Sequence, residues 1–346
     1  MKNANLSVCN ATIHPGESAN LAFPLPEFYS CIPFYMPIKV IHGKKKGPCI
    51  LVFSTVKGDE LNGLEIINRL TKSIEPDHIA GTLIAIPVFN IFGLIGPFKH
   101  AAPENNLREC FPGSALGSYN ERLAYILTQE ILSKVDYCIE LQTGSLNHEL
   151  LPQICCNLNH STTKQLAVAF TAPVITHTDH ATNPLRRMID EMNIPLLVYL
   201  AGEAMRFNEA AIKLGFVGTR NVMQLLEMIE NDKEKPEFKP VFSTEQDWLR
   251  APHSGILISD VELGQMIQQG ERIGHINDPF GTDDLSAIIK ATHNGIIVGI
   301  NRHPLIHEGQ TIFKIASFID NNRAKSTLDA WGTMQTITED TEAKDG

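Results

Sequence analysis

Residues 48–63 read Pro-Cys-Ile-Leu-Val-Phe-Ser-Thr-Val-Lys-Gly-Asp-Glu-Leu-Asn-Gly. The apolar run from Ile50 to Phe53 is typical of a buried strand, and a polar, acidic turn follows it directly. After the turn, apolar residues recur at helical spacing, at Leu64, Ile66, Ile67 and Leu70. The order strand, acidic turn, helix is where open α/β sheets hold ligand chemistry, although a solvated surface turn has the same pattern.

The same alternation of strand and helix signals continues to residue 235. Strand signals lie at 49–53, 82–88, 137–141, 172–175 and 196–200. Helix signals lie at 61–73, 121–133, 162–169, 184–192, 209–214 and 219–229. This spacing predicts a layered βαβ domain with a mostly parallel or mixed sheet.

The segments on either side of this domain have a different character. Residues 1–47 are rich in proline and predict short antiparallel strands, which we expect to pack with the C-terminal strands. Residues 231–240 are charged and contain proline, as linkers do. Residues 241–319 predict a small all-β domain, and residues 320–346 predict a disordered polar tail. With 346 residues, the chain is long enough for two domains.

Composition limits the class of protein and its partners. A hydrophobic content of 43% and a charged content of 20% are those of an ordinary globular protein. The net charge of −10 argues against a nucleic acid or an anionic membrane as partner. The N-terminus lacks the long apolar segment of a signal peptide, so we expect a cytoplasmic protein with reduced cysteines.

The turn after the first strand resembles the zinc-binding turn of the succinylglutamate desuccinylase/aspartoacylase family, whose phrase is His-Gly-Asp/Asn-Glu, two residues, then Gly. Glu60 and Gly63 fit this phrase, but Lys57 stands at the position of the histidine ligand. The resemblance implies a zinc amidohydrolase with a three-layer, carboxypeptidase-like domain and a mixed sheet. It also implies that a small all-β barrel-sandwich domain follows.

Two further positions depart from the family's metal and base residues. Glu140-Leu141-Gln142-Thr143-Gly144 resembles Asp-Leu-His-Thr, with Gln142 at the second histidine position. Tyr199-Leu200-Ala201-Gly202-Glu203 resembles Tyr-Glu-Ala-Gly-Glu, with Leu200 at the general-base position. A lysine ammonium has no lone pair and loses its proton only near a pKa of about 10.4, and a glutamine carbonyl is a weak zinc ligand.

The substrate-binding phrases are partly kept. Aligning Phe111-Pro112-Gly113 with the family places Arg108 and Glu109 at the Asn and Arg positions, and Cys155 replaces a further arginine after Leu151-Pro152-Gln153-Ile154. Arg186 keeps its family position. The pocket residues that the resemblance implies are Arg108, Glu109, Thr143, Arg186 and Glu203.

Three hypotheses follow. In the first, the chain has lost zinc-dependent deacylation, zinc is absent or weakly bound, and an ion pair between Lys57 and Glu60 takes the place of the metal. The protein then binds a small molecule or regulates an active relative, alone or as a homo-oligomer. In the second, a metal-dependent amidohydrolase or esterase cleaves a small N-acyl amino acid or amine, with relocated ligands among His148, His177 and His180. The third is a structural oligomer formed through the β domain.

Overall fold

The computed structural model describes residues 3–25, 35–94, 107–230, 239–278 and 286–332, and it shows a mixed α/β fold with a large mixed sheet. The strands of the first half are β1 (Leu6–Val8), β2 (Ala11–Ile13), β3 (Glu17–Pro24), β4 (Tyr35–His42), β5 (Lys45–Ser54), β6 (Ala80–Ile86), β7 (Tyr137–Gln142) and β8 (His148–Cys156). The later strands are β9 (Val174–His177), β10 (Leu196–Gly202), β11 (Val241–Arg250), β12 (Gly255–Ser259), β13 (Met266–Ile267), β14 (Arg272–Asn277), β15 (Ala287–Lys290), β16 (Gly295–Asn301), β17 (Leu305–Ile306) and β18 (Thr311–Phe318). The helices are α1 (Leu61–Lys72), α2 (Ile91–Leu94), α3 (Tyr119–Glu130), α4 (Ser161–Phe170), α5 (Pro184–Glu191) and α6 (Glu209–Leu225), and residues 321–332 are also helical.

Within the described residues, the large sheet has twelve strands in the order β13-β16-β18-β11-β9-β8-β10-β7-β5-β6-β4-β3. Strands β5, β7 and β10 run parallel, so their carboxyl ends meet at one edge. The register pairs Ser54 with Leu141 and Leu200 with Gln142. This edge therefore gathers the turn after β5 and the ends of β7 and β10, as open α/β sheets do at their ligand sites.

Two apolar layers cover the faces of the sheet. Along β7, Cys138 packs into the layer that contains α3 and α5, whereas Ile139 and Leu141 pack into the layer that contains α1, α4 and α6. Side chains alternate between faces along a strand. Glu140 and Gln142 therefore lie on the same face as Cys138, next to α5.

Gly63 lets α1 pack closely against the end of β5. A Cβ atom at this position would lie 2.0 Å from Oγ of Ser54. The hydroxyl of Ser54 also donates to the carbonyl of Leu141 at 2.8 Å, which joins β5 to β7 at the edge that holds the site. The glycine kept from the family phrase is thus required by packing.

Two predictions about elements are corrected. Residues 209–214 and 219–229 were expected to form separate helices, but α6 is continuous because Gly215 and Gly218 pack closely against the side chains of Tyr199 and Phe170. Strand β8 was not among the predicted strands, and a proline is unusual in a central strand. The structure accommodates Pro152 beside a shift in the register of β8 with β10.

Among the described residues of the N-terminal segment, β3 and β4 lie at the opposite end of the large sheet from the C-terminal strands, with which the sequence led us to expect packing. β3 and β4 form one edge of the sheet through the pairing of β4 with β6, while β11, β16 and β18 lie toward the opposite edge. Pairing with β6 buries Ile38 and Val40 in the core of the α/β region, which explains this location.

The C-terminal region is rich in strands, but they divide between two sheets. β12, β14, β15 and β17 form a four-stranded sheet, whereas β11, β13, β16 and β18 join the large sheet. Apolar side chains fill the space between them, among them Ile273, Ile276, Ile297 and Phe313. Pairing of β11 with β9 makes the large sheet continuous across residue 241.

The predicted disordered tail is wrong for residues 321–332, which are helical. Ala324 and Leu328 are buried there against Val298 and Phe318, so apolar contact stabilises this helix. Residues 333–346 of the tail and residues 231–238 of the predicted linker lie outside the described residues. Among the residues that are described, no helix is long and apolar enough to cross a membrane.

Candidate functional site

Glu60 lies at the start of α1, and its side chain is fully buried, with 0% exposure. The Lys57 ammonium lies 3.7 Å from Oε1 of Glu60, and the Lys57 backbone N–H donates to Oε2 at 3.2 Å. Burial raises the pKa of Glu60 to about 7 despite the opposing effect of the Lys57 charge, and the charge of Glu140 raises it further. The expected ion pair of Lys57 and Glu60 is therefore present.

The tight turn that holds this pair depends on glycine. Gly58 has φ +92, and a Cβ atom there would lie 2.1 Å from the carbonyl carbon of Gly93. The turn folds back on α2, so that Lys57 and Glu60 face each other three residues apart. The Lys57 side chain is 31% exposed, which places the ion pair between the core and solvent.

A second buried ion pair lies beside the first. Nε of Arg186 lies 2.7 Å from Oε2 of Glu140, and Nε2 of Gln142 donates to Oε1 of Glu140 at 2.6 Å. Burial opposes the charge of Arg186, but the Glu140 carboxylate outweighs it and raises the pKa of Arg186. The charges of Arg186 and Glu140 also act on Glu60, so the two pairs form one cluster.

Sequence reasoning missed Glu140 as a site residue. The available signal was an acidic residue in an apolar strand, two residues before Gln142 and on the same face. A buried carboxylate requires a partner, and Arg186 of α5 supplies it. Of the predicted pocket residues, Arg186 is the one that this contact brings into the cluster.

The residues at the family's metal positions do not fit zinc. Lys57 presents an ammonium, which donates hydrogen bonds and has no free lone pair. Gln142 directs its amide N–H to Glu140, and only Glu60 offers a carboxylate. The described residues contain no group of three or more His, Cys, Asp or Glu side chains arranged to hold a metal ion. We therefore derive no catalytic step through zinc.

Leu200, at the family's general-base position, and the nearby Glu203 both contact other parts of the protein. Leu200 pairs in register with Gln142 and Gln153 and packs against the apolar layer, so it moves no proton. Glu203 accepts the backbone N–H of Asn147 at 2.9 Å and lies 3.7 Å from Nε of Arg206. Glu203 also lines a cleft of about 440 Å³ together with Glu149, Arg206, Phe207, Asn208 and Arg302.

The remaining predicted pocket residues make local contacts. Nε of Arg108 lies 3.0 Å from Oε1 of Glu109, so their charges neutralise each other on one short helical turn, Leu107–Cys110. The buried hydroxyl of Thr143 donates to the carbonyl of Gly144 at 2.8 Å. These contacts do not join the three residues to the Glu60 cluster.

The three histidines considered as relocated ligands have different surroundings. Nε2 of His148 lies 2.9 Å from the Thr311 hydroxyl, and its ring packs edge-on against Trp248. Nδ1 of His177 accepts the backbone N–H of Leu158 at 3.2 Å. These contacts hold His148 and His177 at separate places.

His180 lies beside the charged cluster. Its side chain is 3% exposed, and both ring nitrogens lack a hydrogen-bond partner among the described residues. Burial lowers the pKa of His180 to about 4, and the nearby Arg186 charge lowers it further, while Asp190 and Glu140 oppose this. His180 is therefore a neutral imidazole with unused hydrogen-bonding capacity.

The chain belongs to the succinylglutamate desuccinylase/aspartoacylase family. A model of the catalytic domain of that family matches residues 46–226, which is more than half of the 346 residues. The N-alpha-acetyl-L-2,4-diaminobutyric acid deacetylase of Halomonas elongata is 21% identical over 308 residues, which cover 83% of this chain and 86% of the deacetylase.

Solved structures share the fold. A succinylglutamate desuccinylase/aspartoacylase from Rhodobacter sphaeroides has a TM-score of 0.78 at 20% identity, covering 87% of this chain and 96% of that protein. The product-bound ectoine utilization protein EutE (DoeB) from Ruegeria pomeroyi has a TM-score of 0.78 at 17% identity, with coverage of 87% and 95%. At these identities the similarity shows the fold alone.

Proposed function

We propose that this member of the family binds a small polar molecule and has lost zinc-dependent deacylation. The observation that supports this most directly is the Lys57 ammonium 3.7 Å from the buried carboxylate of Glu60. A cation already neutralises the one carboxylate that is kept at the family's metal positions. Binding of zinc would bring a second positive charge next to Lys57, which is unfavourable at this distance.

The other residues that zinc-dependent hydrolysis requires are also replaced. A hydrolytic zinc site needs protein ligands, an open position for water and a general base. Gln142 donates to Glu140, and Leu200 has no titratable group. Since ligand and base positions are changed together, we infer a binding or regulatory role.

The site retains polar groups for a ligand. Oε1 of Glu60 and both ring nitrogens of His180 are buried without a hydrogen-bond partner among the described residues. Buried polar atoms of this kind are costly unless something satisfies them. A small molecule with several hydrogen-bonding groups fits this requirement.

The second candidate is a metal-dependent amidohydrolase or esterase with a rearranged site, cleaving a small N-acyl amino acid or amine. Its support is the deacetylase of Halomonas elongata, which resembles this chain over most of its length, and the unused lone pair of His180. The contacts of His148 and His177 speak against it, because they hold those rings at other places.

The proposal also covers the C-terminal domain, the location and the assembly of the protein. The C-terminal strands form a barrel-sandwich domain, and the protein acts in the cytoplasm as a homo-oligomer or beside an active relative. Support for the first point is the apolar filling between the two sheets of that region.

Hydrolysis of N-acyl amino acids by the full chain tests the proposal. A panel that includes N-acetyl, N-succinyl and N-acetyl-diamino acids is incubated with added zinc, and release of the free amine is measured. The matched control is Glu60→Gln, which keeps the shape of the side chain. We expect no release above buffer for either protein; zinc-dependent release that Glu60→Gln abolishes would establish the second candidate instead.

A further inference from the structure

The cleft of about 440 Å³ described above has walls from three separate parts of the chain. These are the loop of residues 203–208 after β10, Glu149 of β8 and Arg302 after β16. The Met205 backbone N–H donates to the Asp59 carbonyl at 2.9 Å, which fixes the loop to the turn after β5. The cleft therefore lies at the same edge of the large sheet as that turn.

Glu203 contributes an incompletely compensated carboxylate to the cleft, although its side chain is only 9% exposed. Oε1 accepts the backbone N–H of Asn147 at 2.9 Å, whereas Oε2 has no hydrogen-bond partner within the described part of the chain. Nε of Arg206 lies 3.7 Å from Oε1, which is too far for a hydrogen bond, and the Arg206 side chain is 74% exposed. A carboxylate buried to this extent gains stability from a further donor.

The charges around the cleft favour a cationic ligand over an anionic one. Arg302 lies 2.8 Å from Glu149 and 3.1 Å from Glu262, so two carboxylates already compensate its charge. Together with Glu203, three carboxylates face the two guanidiniums of Arg206 and Arg302. The net charge of −10 on the whole chain also attracts cations. An anion would meet only the solvated guanidinium of Arg206.

Phe207 provides an aromatic ring in the wall of the same cleft. Its side chain is 65% exposed, so a ligand in the cleft can reach the ring. The face of an aromatic ring attracts an ammonium group, and a carboxylate accepts charge-assisted hydrogen bonds from the same group. A ring and a carboxylate in one cleft therefore suit an amine better than they suit a neutral or acidic molecule.

We propose that this cleft binds the ammonium group of a small amine, with Glu203 as its anion and Phe207 as its aromatic contact. The N–H groups of the ammonium donate to Oε2 of Glu203, the oxygen that no other described residue satisfies. This inference rests on the proposed binding function, since it names the charge and chemical class of the ligand.

The test is a titration of the purified, metal-free full chain with n-butylamine, n-butanol and sodium butyrate at neutral pH. The three probes carry the same alkyl chain and differ in charge. Ionic strength is held constant with sodium chloride, and the midpoint of thermal unfolding is followed, because a ligand of the folded state raises it. We expect a saturable rise with n-butylamine alone. No rise with n-butylamine, or an equal rise with either other probe, would overturn the proposal.

Variants assign the effect to the cleft. Glu203→Gln keeps the shape of the side chain and an oxygen for the Asn147 N–H, and it should weaken the apparent affinity for n-butylamine by about tenfold or more. Phe207→Leu should weaken it by about threefold, since only the ring contact is lost. Glu191→Gln makes the same charge change at an exposed residue of α5 and should leave the affinity unchanged. Equal affinities in wild type and Glu203→Gln would contradict the assignment.

The comparison of the three probes on the wild type does not require any variant to fold. Its result is also independent of the hydrolysis assay. A rise with n-butylamine that Glu203→Gln abolishes, found together with zinc-dependent hydrolysis, would support the amine site and refute the proposed loss of deacylation. The absence of both a rise and hydrolysis would refute the amine site alone.

Discussion

The ammonium of Lys57 lies 3.7 Å from Oε1 of Glu60, and no water-accessible surface remains on the glutamate side chain. An ionised carboxylate in such a position is stable only with a neighbouring positive charge. The lysine that replaces a family metal ligand therefore also replaces the charge of the metal. Stability and metal affinity should both depend on this one pair.

Loss of the Lys57 charge should destabilise the fold. We expect Lys57→Met to lower the free energy of unfolding by about 1–3 kcal/mol at neutral pH, because Glu60 would then be buried without its cation. Urea denaturation measures this. The control Lys46→Met removes an exposed charge from β5 and should change the free energy by less than about 0.5 kcal/mol. Equal effects of the two changes would show that the pair contributes nothing.

Glu60 should make the protein less stable as pH rises. Its pKa is about 7 in the folded chain, above the ordinary carboxyl value of the unfolded chain, so folding favours the protonated form. That contribution is complete below the unfolded pKa and is lost as pH rises to about 7. Glu60→Gln has no such titration. Relative to wild type, its free energy of unfolding should thus increase by about 1–3 kcal/mol from about pH 5 to about pH 8. A difference independent of pH would contradict the raised pKa.

Arg186 and its neighbour Arg187 provide a matched comparison. Arg186 forms the buried pair with Glu140, whereas Arg187 is exposed and pairs loosely with Glu191. Arg186→Met should cost about 3–5 kcal/mol in urea denaturation, and Arg187→Met less than about 1 kcal/mol. Replacing Glu140 by Met as well should recover much of the loss, since no buried charge then remains. A small cost for Arg186→Met would show that the pair is dispensable.

His180 should act on stability in the opposite direction to Glu60. Its pKa of about 4 lies below the ordinary histidine value, so the contribution of the neutral ring is lost as pH falls from about 6.5 toward 4. In wild type, NMR titration should show no protonation of His180 above about pH 5. Asparagine suits the positive φ of 58 at this residue. His180→Asn should therefore lose about 2–3 kcal/mol less of its free energy of unfolding than wild type does as pH falls from about 6.5 toward 4. Protonation of His180 near pH 6.5 would contradict the claim that burial lowers its pKa.

Contacts between residues close together in the sequence, and the bounds of some elements, were predictable. Lys57 and Glu60 lie three residues apart in a tight turn, so their pairing followed from the phrase itself. The bounds of β7 and α1 agree closely with their apolar patterns, whereas β5 begins at Lys45, before the predicted strand at 49–53. Gly63 was recognised from the family phrase, and its close approach to Ser54 gives the physical reason.

Contacts between distant segments were not predictable. Glu140 and Arg186 are separated by 46 residues, and nothing in either local pattern shows that α5 packs over β7. The Glu203 carboxylate accepts the backbone N–H of Asn147, which lies 56 residues away in the sequence, and the phrase around Glu203 does not show this contact.

Restoring the family residues should restore metal binding. We expect the double variant Lys57→His and Gln142→His to bind about one zinc per chain, because two imidazoles would then join the Glu60 carboxylate. Elemental analysis after dialysis against zinc measures this. The single variant Gln142→His, which keeps the lysine ammonium, is the matched control and should stay largely metal-free. Equal zinc in the single and double variants would show that Lys57 does not exclude the metal.

The most direct test of the account is the zinc content of the wild-type protein, measured by elemental analysis before and after dialysis against zinc. The Lys57–Glu60 pair predicts less than about a tenth of a zinc per chain in both samples, because the ammonium supplies the charge that the metal would bring. About one zinc per chain would contradict the account and point to a rebuilt metal site.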